Sequence, residues 1–325
     1  MTVAHGAMRA AVLTGPRRFA VTSVAVPEPG EGEVRVRLEG CGVCASNIEP
    51  WEGPEWMRFP TAPGGLGHEG WGVVDAVGAG VAAPAAGNRV AFLGAQSFAE
   101  YEVVPAAATA VLPPALAGTP FPGEPLGCAF NIFRRSRIEA GQTVAIIGIG
   151  FLGAVLCRLA SEAGARVIAI SRREESLALA RRFGATHTIA MHDHHAIIAQ
   201  VSGPTDGAMC ERVIECVGKQ WPLDLAGELV GTGGVLAVAG YHQDGPRQVN
   251  MQGWNWKGID VVNAHERDPA VQMRGLREAI DAVASGRLDP SPLFSATYPL
   301  EQLDEALIAT RDKPGGFVKA LVAFS

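Results

Sequence analysis

The sequence lacks the marks of a membrane protein, a nucleic-acid-binding protein and a disulfide-stapled secreted domain. The uncharged apolar run Thr143 to Cys157 is too short for a bilayer span and carries three glycines, so we expect no membrane helix. Lys and Arg total 27 against 33 Asp and Glu, and this net charge of −6 argues against a broad phosphate-binding surface. Six cysteines in 325 residues are too few for a disulfide framework, so we expect reduced thiols.

Charged residues are also scarce, at 18%, whereas apolar residues make up 48% of the chain. This balance excludes a disordered protein and provides for large cores. The length of 325 residues suits about two domains. The N-terminus lacks the basic, apolar and small-residue segments of a signal peptide, so the cytoplasm is the default location.

The arrangement of apolar stretches changes once along the chain. From Arg9 to about Val111, short apolar stretches alternate with Gly and Pro, which is typical of strands and turns. The apolar runs VAIIGIG, RVIAIS, RVIECVG and GVLAVAG then alternate with helix-like stretches, which predicts a parallel sheet covered on both faces. We therefore predict an α/β protein with a β-rich domain over 1–124 and 261–325, and a doubly wound domain over 125–260.

A strand, three glycines and a helix follow one another at the start of the second domain. The buried strand is followed by GIGFLG and then by the helical stretch AVLCRLASEAG. Gly148 would permit the tight turn, Gly150 the approach of backbone to a pyrophosphate, and Gly153 close packing of the helix. An ordinary glycine-bearing turn would look similar, but the next strand, ARVIAI, supplies the context of a dinucleotide site.

The end of that next strand carries Ser171, Arg172 and Arg173, where an NAD site usually places a carboxylate. A hydroxyl followed by two guanidinium groups suits a ribose 2′-phosphate, because arginine pairs well with phosphate oxygens. We predict a preference for NADP(H). The alternative is that the two arginines begin a solvated helix and that NAD(H) binds through backbone contacts.

Three segments carry side chains that zinc accepts as ligands: GCGVCASNIEPW at 40–51, PGGLGHEGWGVVDAVG at 63–78 and FPGEPLGC at 121–128. Cys44, His68 and Glu124 offer a thiolate, an imidazole and a carboxylate, and they would leave a fourth position open, as catalytic zinc requires. Glu69 is an alternative oxygen ligand that could also help to move the metal.

With GCGVC followed by Ser, GHEGWGVV, GEPL and GIGFLG, the sequence resembles the zinc-dependent medium-chain dehydrogenase/reductase superfamily over nearly its whole length, near sorbitol and threonine dehydrogenases. The resemblance implies a GroES-like catalytic domain, a Rossmann cofactor domain and catalytic zinc on Cys44, His68 and Glu124. Cys128 is the rival third ligand, because alcohol dehydrogenases of the superfamily use cysteine near this place. The EPL form of the polyol branch favours Glu124.

The resemblance also implies a reaction, the transfer of a hydride between the nicotinamide and a secondary alcohol or polyol, or its ketone. Ser46 is the candidate for the first proton relay, because a hydroxyl both donates and accepts, and Glu49 could continue the path. Many members carry an acid and a histidine where this chain has Asn47 and Glu49. Many also insert a four-cysteine lobe that binds structural zinc, whereas NRVAFLGAQSFAEY has no cysteine, so one catalytic zinc is predicted.

Two other functions stay open at this point. One is a zinc-independent quinone or enoyl reductase of the same fold. The other is a non-catalytic NADPH-binding protein, because a fold alone does not prove turnover.

Further residues follow from the resemblance alone. Gly218 and Gly240 lie on the later cofactor strands, with Tyr241 and His242 as neighbours on the nicotinamide side. Lys319 matches a position that often reaches the pyrophosphate.

The segment NWKGIDVVNAHERD at 255–268 resembles the strand used for subunit pairing, which predicts a homodimer or homotetramer. Trp51, Trp56 and Phe92 follow the metal motifs closely enough to line a substrate cleft between the domains, and they could equally be core residues. The expected small-molecule partner is the substrate, an alcohol or a ketone.

Overall fold

A computed structural model describes residues 6–324. The N-terminal segment that was searched for a signal peptide therefore lies partly outside the described residues. The chain divides into a β-rich unit, Met1–Gly127 with Leu276–Ser325, and an α/β unit, Cys128–Gly275. The first boundary lies close to the predicted one. The second comes later than residue 261, because a short strand there extends the parallel sheet of the α/β unit.

The strands and the helices are each numbered in chain order. The strands are β1 (Ala7–Gly15), β2 (Arg18–Ala25), β3 (Glu33–Gly42), β4 (Gly70–Val77), β5 (Arg89–Phe92), β6 (Tyr101–Pro105), β7 (Thr109–Val111), β8 (Thr143–Ile147), β9 (Arg166–Ser171), β10 (His187–Ala190), β11 (Cys210–Glu215), β12 (Val230–Val238), β13 (Asp260–Asn263), β14 (Phe294–Pro299) and β15 (Lys319–Ala323). The helices are α1 (Ile48–Glu52), α2 (Gly123–Ser136), α3 (Phe151–Glu162), α4 (Glu174–Arg182), α5 (His194–Ser202), α6 (Gln220–Leu229), α7 (Met251–Lys257), α8 (Pro269–Ala284) and α9 (Leu303–Asp312).

The β-rich unit is built on a sheet in the order β14-β15-β3-β4-β5-β7, with β6 also paired to β3. Strand β3 shows why the sequence folds this way, because its side chains alternate between the two faces of the sheet. Val34, Val36 and Leu38 are buried in a core with Val74 and Phe92. The arginines between them point the other way and are more exposed.

The α/β unit contains a six-stranded sheet in the order β10-β9-β8-β11-β12-β13, and all of its neighbouring strands are parallel. Every residue of β8 is buried, as expected for a central strand covered on both faces. The strand order reverses between β8 and β11, which is where ligands bind in doubly wound sheets. The predicted doubly wound parallel sheet is confirmed.

No helix within residues 6–324 combines the length and the apolar character needed to cross a bilayer.

Candidate metal and nucleotide sites

The pairing of β3 with β4 brings two distant sequence motifs together. Cys41 on β3 lies opposite Gly70 on β4, and the backbone N–H of Gly42 donates to the carbonyl of Glu69 at 3.1 Å. Cys44 follows β3 by two residues, and His68 precedes β4 by two. Both side chains therefore reach the same edge of the sheet.

Three candidate ligands meet at that edge. The Cys44 sulfur, a ring nitrogen of His68 and a carboxylate oxygen of Glu69 all lie within 4.8 Å of one another, and this is the one such group among the residues that the structure describes. Glu124, in the first turn of α2, does not meet that distance to all three, but its charge acts on His68. Thiolate, imidazole and carboxylate are zinc ligands, so the donor set fits the metal.

The electrostatics of the cluster favour a cation. Burial lowers the pKa of His68, but a hydrogen bond with the Cys44 side chain and nearby negative charges raise it to about 10. Those charges belong to Cys44, Glu124 and Glu69. A divalent ion would supply the positive charge that these groups attract, and its binding would release the proton from His68.

Lys319 is the cationic partner of Glu69. The two side chains are 4% and 0% exposed, and the Lys319 Nζ lies 2.8 Å from Oε1 and 2.7 Å from Oε2 of Glu69. Burial lowers the pKa of Lys319, but the charges of Glu69, Cys44 and Glu124 and the hydrogen bond to Glu69 together outweigh burial, so the pKa is raised. A Cβ on Gly42 would lie 1.8 Å from the same carboxylate, so glycine leaves the necessary space. The structure thus places the ammonium group of Lys319, which the resemblance predicts near the pyrophosphate, against the buried carboxylate of Glu69.

Asn47 has a role that sequence reasoning missed. It is 3% exposed, its Oδ1 accepts from the backbone N–H of Cys44 at 3.1 Å, and its Nδ2 donates to the carbonyl of Leu66 at 2.8 Å. The same carbonyl lies 2.9 Å from Nδ1 of His68. A carbonyl only accepts, so Nδ1 carries a hydrogen, and Nε2 is the ring nitrogen that can bind a metal once it has released its own proton. Its position three residues after Cys44 was the available signal.

The remaining predicted residues around the metal motif fall into two groups. Ser46 lies on the 3₁₀ turn beside Cys44, and Glu49 on α1; both are half-buried. Trp51 and Phe92 are fully buried core residues, and the Trp51 ring N–H donates to Asp304 at 2.7 Å. Trp56 is 59% exposed and stays a candidate for the substrate cleft.

Each glycine of GIGFLG has its own surroundings. Gly148 has a φ of +94°, and a Cβ on Gly153 would lie 2.1 Å from the Gly148 carbonyl, so neither position admits a side chain. A Cβ on Gly150 would meet no atom within 4 Å. Gly150 immediately precedes α3, so open space lies beside a helix N-terminus that favours anions.

Ser171 ends β9 and is buried, whereas Arg172 is exposed and Arg173 is half-buried at the N-cap of α4. Burial lowers the pKa of Arg173; the Glu175 charge raises it, and the positive charge of Arg172 lowers it further. Two adjacent cations at this place would gain from a bound anion.

Gly218 and Gly240 allow two loops to touch. A Cβ on Gly240 would lie 2.1 Å from the backbone nitrogen of Gly218, and Gly218 itself has a φ of +81°. These glycines thus join the loops that follow β11 and β12.

Comparisons with known proteins agree with this architecture. The family described as alcohol dehydrogenase GroES-like domain matches residues 30–114, and the family described as zinc-binding dehydrogenase matches residues 152–284. Sorbitol dehydrogenase of Gallus gallus is 28% identical over 89% of each chain. L-threonine 3-dehydrogenase of Bacillus subtilis (strain 168) is 26% identical over 92% of this chain and 93% of that one.

A solved structure is similar along almost the whole chain. It comes from Sinorhizobium meliloti 1021, was assigned to the zinc-binding dehydrogenases and has NADP bound; it is 27% identical, with a TM-score of 0.84 over 98% of this chain and 100% of that one. The predicted combination of a GroES-like unit with a Rossmann unit is therefore confirmed. The chain belongs to the zinc-type medium-chain dehydrogenase/reductase superfamily of oxidoreductases.

Proposed function

We propose that the protein is a zinc-dependent oxidoreductase that transfers a hydride between NADP(H) and a secondary alcohol or polyol, or its ketone. The observation that carries this proposal is the meeting of Cys44, His68 and Glu69 within 4.8 Å, in a chain of this superfamily. Such a donor set is of little use to a protein that only binds a nucleotide.

Cys44 and His68 would hold one catalytic zinc together with a carboxylate. Because Lys319 already compensates the charge of Glu69, we assign Glu124 as the third ligand and keep Glu69 as the alternative. When bound, zinc supplies a Lewis acid that polarises the carbon–oxygen bond of the substrate. Ser46, beside Cys44, can accept the hydroxyl proton and pass it toward Glu49.

The third ligand is tested by metal analysis of two variants. Glu124→Ala should lose zinc and activity, whereas Cys128→Ala should keep both. The reverse result would make Cys128 the ligand.

The cofactor preference rests on Ser171, Arg172 and Arg173. Two guanidinium groups at the end of β9 would pair with a ribose 2′-phosphate, and the carboxylate that would bind the ribose hydroxyls of NAD is missing. Dissociation constants for NADPH and NADH test this preference. Arg173→Ala should weaken NADPH and leave NADH unchanged, whereas equal or tighter NADH binding to the wild-type protein would refute the preference.

A screen of alcohols and ketones with both cofactors, run beside elemental analysis of the purified protein, tests the reaction itself. Turnover of a secondary alcohol that disappears on chelation and returns with Zn²⁺ supports the proposal. Full activity without metal would favour a zinc-independent quinone or enoyl reductase. Tight nucleotide binding without hydride transfer to any substrate would indicate a non-catalytic nucleotide-binding protein.

We also propose that the chain forms a homodimer or homotetramer through β13. Among the described strands, β13 pairs with β12 alone, and Val261 on it is 44% exposed. An open strand edge with an exposed apolar side chain favours pairing with a second copy. Sedimentation should give a dimer or tetramer, and Val261→Lys should dissociate it. A monomeric wild-type protein would refute this assembly.

A further inference from the structure

The loops that follow β11 and β12 are held together by a buried carboxylate. Glu215 ends β11 and its side chain is 0% exposed. Its Oε1 accepts from the backbone N–H groups of Val217 at 2.7 Å and Gly218 at 2.8 Å. Its backbone carbonyl accepts from Gly240, in the second loop, at 2.7 Å. One residue thus fixes peptide groups of both loops.

His242 connects this carboxylate to a guanidinium group. Its Nε2 lies 3.0 Å from Oε2 of Glu215, and its Nδ1 accepts from Nε of Arg247 at 2.9 Å. Arginine only donates, so Nδ1 accepts this hydrogen bond and Nε2 donates to the carboxylate. Arg247 also donates to the carbonyl of Gly218 at 3.0 Å and so closes a ring of contacts. We call Glu215, His242 and Arg247 the loop clamp.

The loop clamp is continuous with the glycine turn. Cys216, in the first loop, donates from its backbone to the carbonyl of Ile147 at 2.8 Å. A Cβ on Gly148 would lie 2.5 Å from the Val217 side chain. The clamped loop therefore borders the reversal of strand order between β8 and β11, the place where a dinucleotide binds in this kind of sheet.

The outer side of the loop clamp is charged and exposed. Asp244 contacts Arg247 and also lies 2.6 Å from Nζ of Lys219. Hydrogen bonds to Lys219 and Arg247 lower the pKa of Asp244 to about 2. Arg247 is thus held from outside by Asp244 and from inside by His242.

We propose that His242 is a positioning residue for the nicotinamide end of the cofactor. By linking Glu215 to Arg247, it fixes the backbone groups of Val217, Gly218 and Gly240 before the cofactor arrives, so that binding does not have to order these loops. This inference rests on the proposed dinucleotide binding and adds the residue that prepares its reactive end. The adenosine end is proposed to bind at Ser171, Arg172 and Arg173, so its affinity should not depend on His242.

The test compares whole and partial cofactors on three variants. His242→Phe removes both hydrogen bonds, whereas His242→Gln keeps a donor and an acceptor. His187→Phe is the matched control, because His187 is exposed at the start of β10, away from the carboxyl ends of the strands. The probes are NADPH and adenosine 2′,5′-bisphosphate, which lacks the nicotinamide, both measured by calorimetry. NADH and AMP replace them if the wild-type protein prefers NADH.

We expect His242→Phe to weaken NADPH by about tenfold, or 1.4 kcal/mol, and to leave the bisphosphate unchanged. His242→Gln should recover much of the loss, and amide exchange should rise in 216–218 and 239–242 of His242→Phe but not in β8. Unchanged NADPH binding to His242→Phe would overturn the proposal, and so would an equal loss of both probes. If the wild-type protein bound no nucleotide, that result would instead contradict the proposed function.

Discussion

The side chain of Asn47 connects the two ligands that the sequence motifs predict most directly. It needs both a donor and an acceptor, because it accepts from the Cys44 N–H and donates to the Leu66 carbonyl that also holds His68. An aspartate can accept but, when ionised, cannot donate. Two oxygens would then face each other in a buried place.

We therefore expect Asn47→Asp to weaken zinc binding by about 10- to 100-fold, the usual cost of disturbing the partners of metal ligands. Competition with a chromophoric chelator measures the affinity. Asn88→Asp is the matched control, because the Asn88 side chain accepts from Ala85 at 3.0 Å in the same unit, and its contact with the ligand segments is made by its backbone carbonyl, which accepts from Val74 at 2.9 Å. Equal zinc affinity in Asn47→Asp and the wild-type protein would show that the amide does not position the ligands.

Glu102 gives a pH-dependent prediction. Burial raises its pKa above 4.5, although hydrogen bonds from Ser97 Oγ at 2.5 Å and from two backbone groups act against this. A raised pKa means that the stability contributed by this group is fully present below the unfolded pKa and is lost as pH rises through the folded value.

Glu102→Gln removes that titration. Relative to the wild-type protein, the free energy of unfolding of the variant should therefore improve as pH rises from about 4 to about 7, the range in which a carboxyl of raised pKa ionises. Urea unfolding at several pH values, with Glu55→Gln as an exposed control, measures this difference. If the difference in unfolding free energy between the two proteins were constant across this pH range, burial would not raise the pKa of Glu102.

Chemistry alone was enough to predict Cys44 and His68, because few residue types bind zinc and these two lie in specific motifs. The spacing of Asn47 from Cys44 could have indicated its contact with the Cys44 N–H, but its second contact, with the carbonyl of Leu66, cannot be read from spacing. The contact of Lys319 with Glu69 was also missed, because it depends on strand pairing. The direction of the Lys319 side chain is set by the pairing of β15 with β3, in which Leu321 lies opposite Gly42 and the carboxylate of Glu69 is close.

Two glycines in the turn between β8 and α3 have different roles. One is required for folding, and the other is expected to matter only for cofactor binding. A methyl group on Gly153 would collide with the Gly148 carbonyl, whereas one on Gly150 would enter open space at a permitted φ of −102°. Gly150→Ala should therefore leave the melting temperature near the wild-type value and still weaken NADPH by at least about tenfold, because the methyl group occupies the path of the pyrophosphate.

Gly153→Ala should lower both the melting temperature and the affinity, since α3 must move away from the turn. Calorimetry and thermal unfolding of the two variants make the comparison. If Gly150→Ala bound NADPH normally, the pyrophosphate would not lie at this turn.

Long apolar strands could be predicted from the sequence, whereas a short exposed strand could not be predicted from its apolar pattern. The continuous apolar runs of β8, β9, β11 and β12, separated by helix-like stretches, predict a buried parallel sheet, and the structure has that sheet. Strand β13 is four residues long and largely exposed, so it was predicted from the resemblance and not from its apolar pattern; the α/β unit extends past it to Gly275.

Each of the two units carries one of the proposed ligand sites. Cys44 and His68 belong to the β-rich unit, and the glycine turn to the α/β unit. Three of the six tryptophans lie in each unit, so total fluorescence cannot tell the units apart. Amide exchange followed by mass spectrometry can, because it reports β3 and β4 separately from β8 and β11.

Each ligand should therefore protect its own unit first. NADPH at about 100 times its dissociation constant adds about 2.7 kcal/mol to the state that binds it, and this should slow exchange in β8 and β11. Removal of metal by a chelator should speed exchange in β3 and β4, and Zn²⁺ should reverse the effect. Cys44→Ser, which weakens the metal site, should respond to NADPH as the wild-type protein does but lose its response to the chelator. If chelation left β3 and β4 unchanged in a protein that still transferred hydride, the cluster would not hold a metal and the zinc-independent reductase would be the better description.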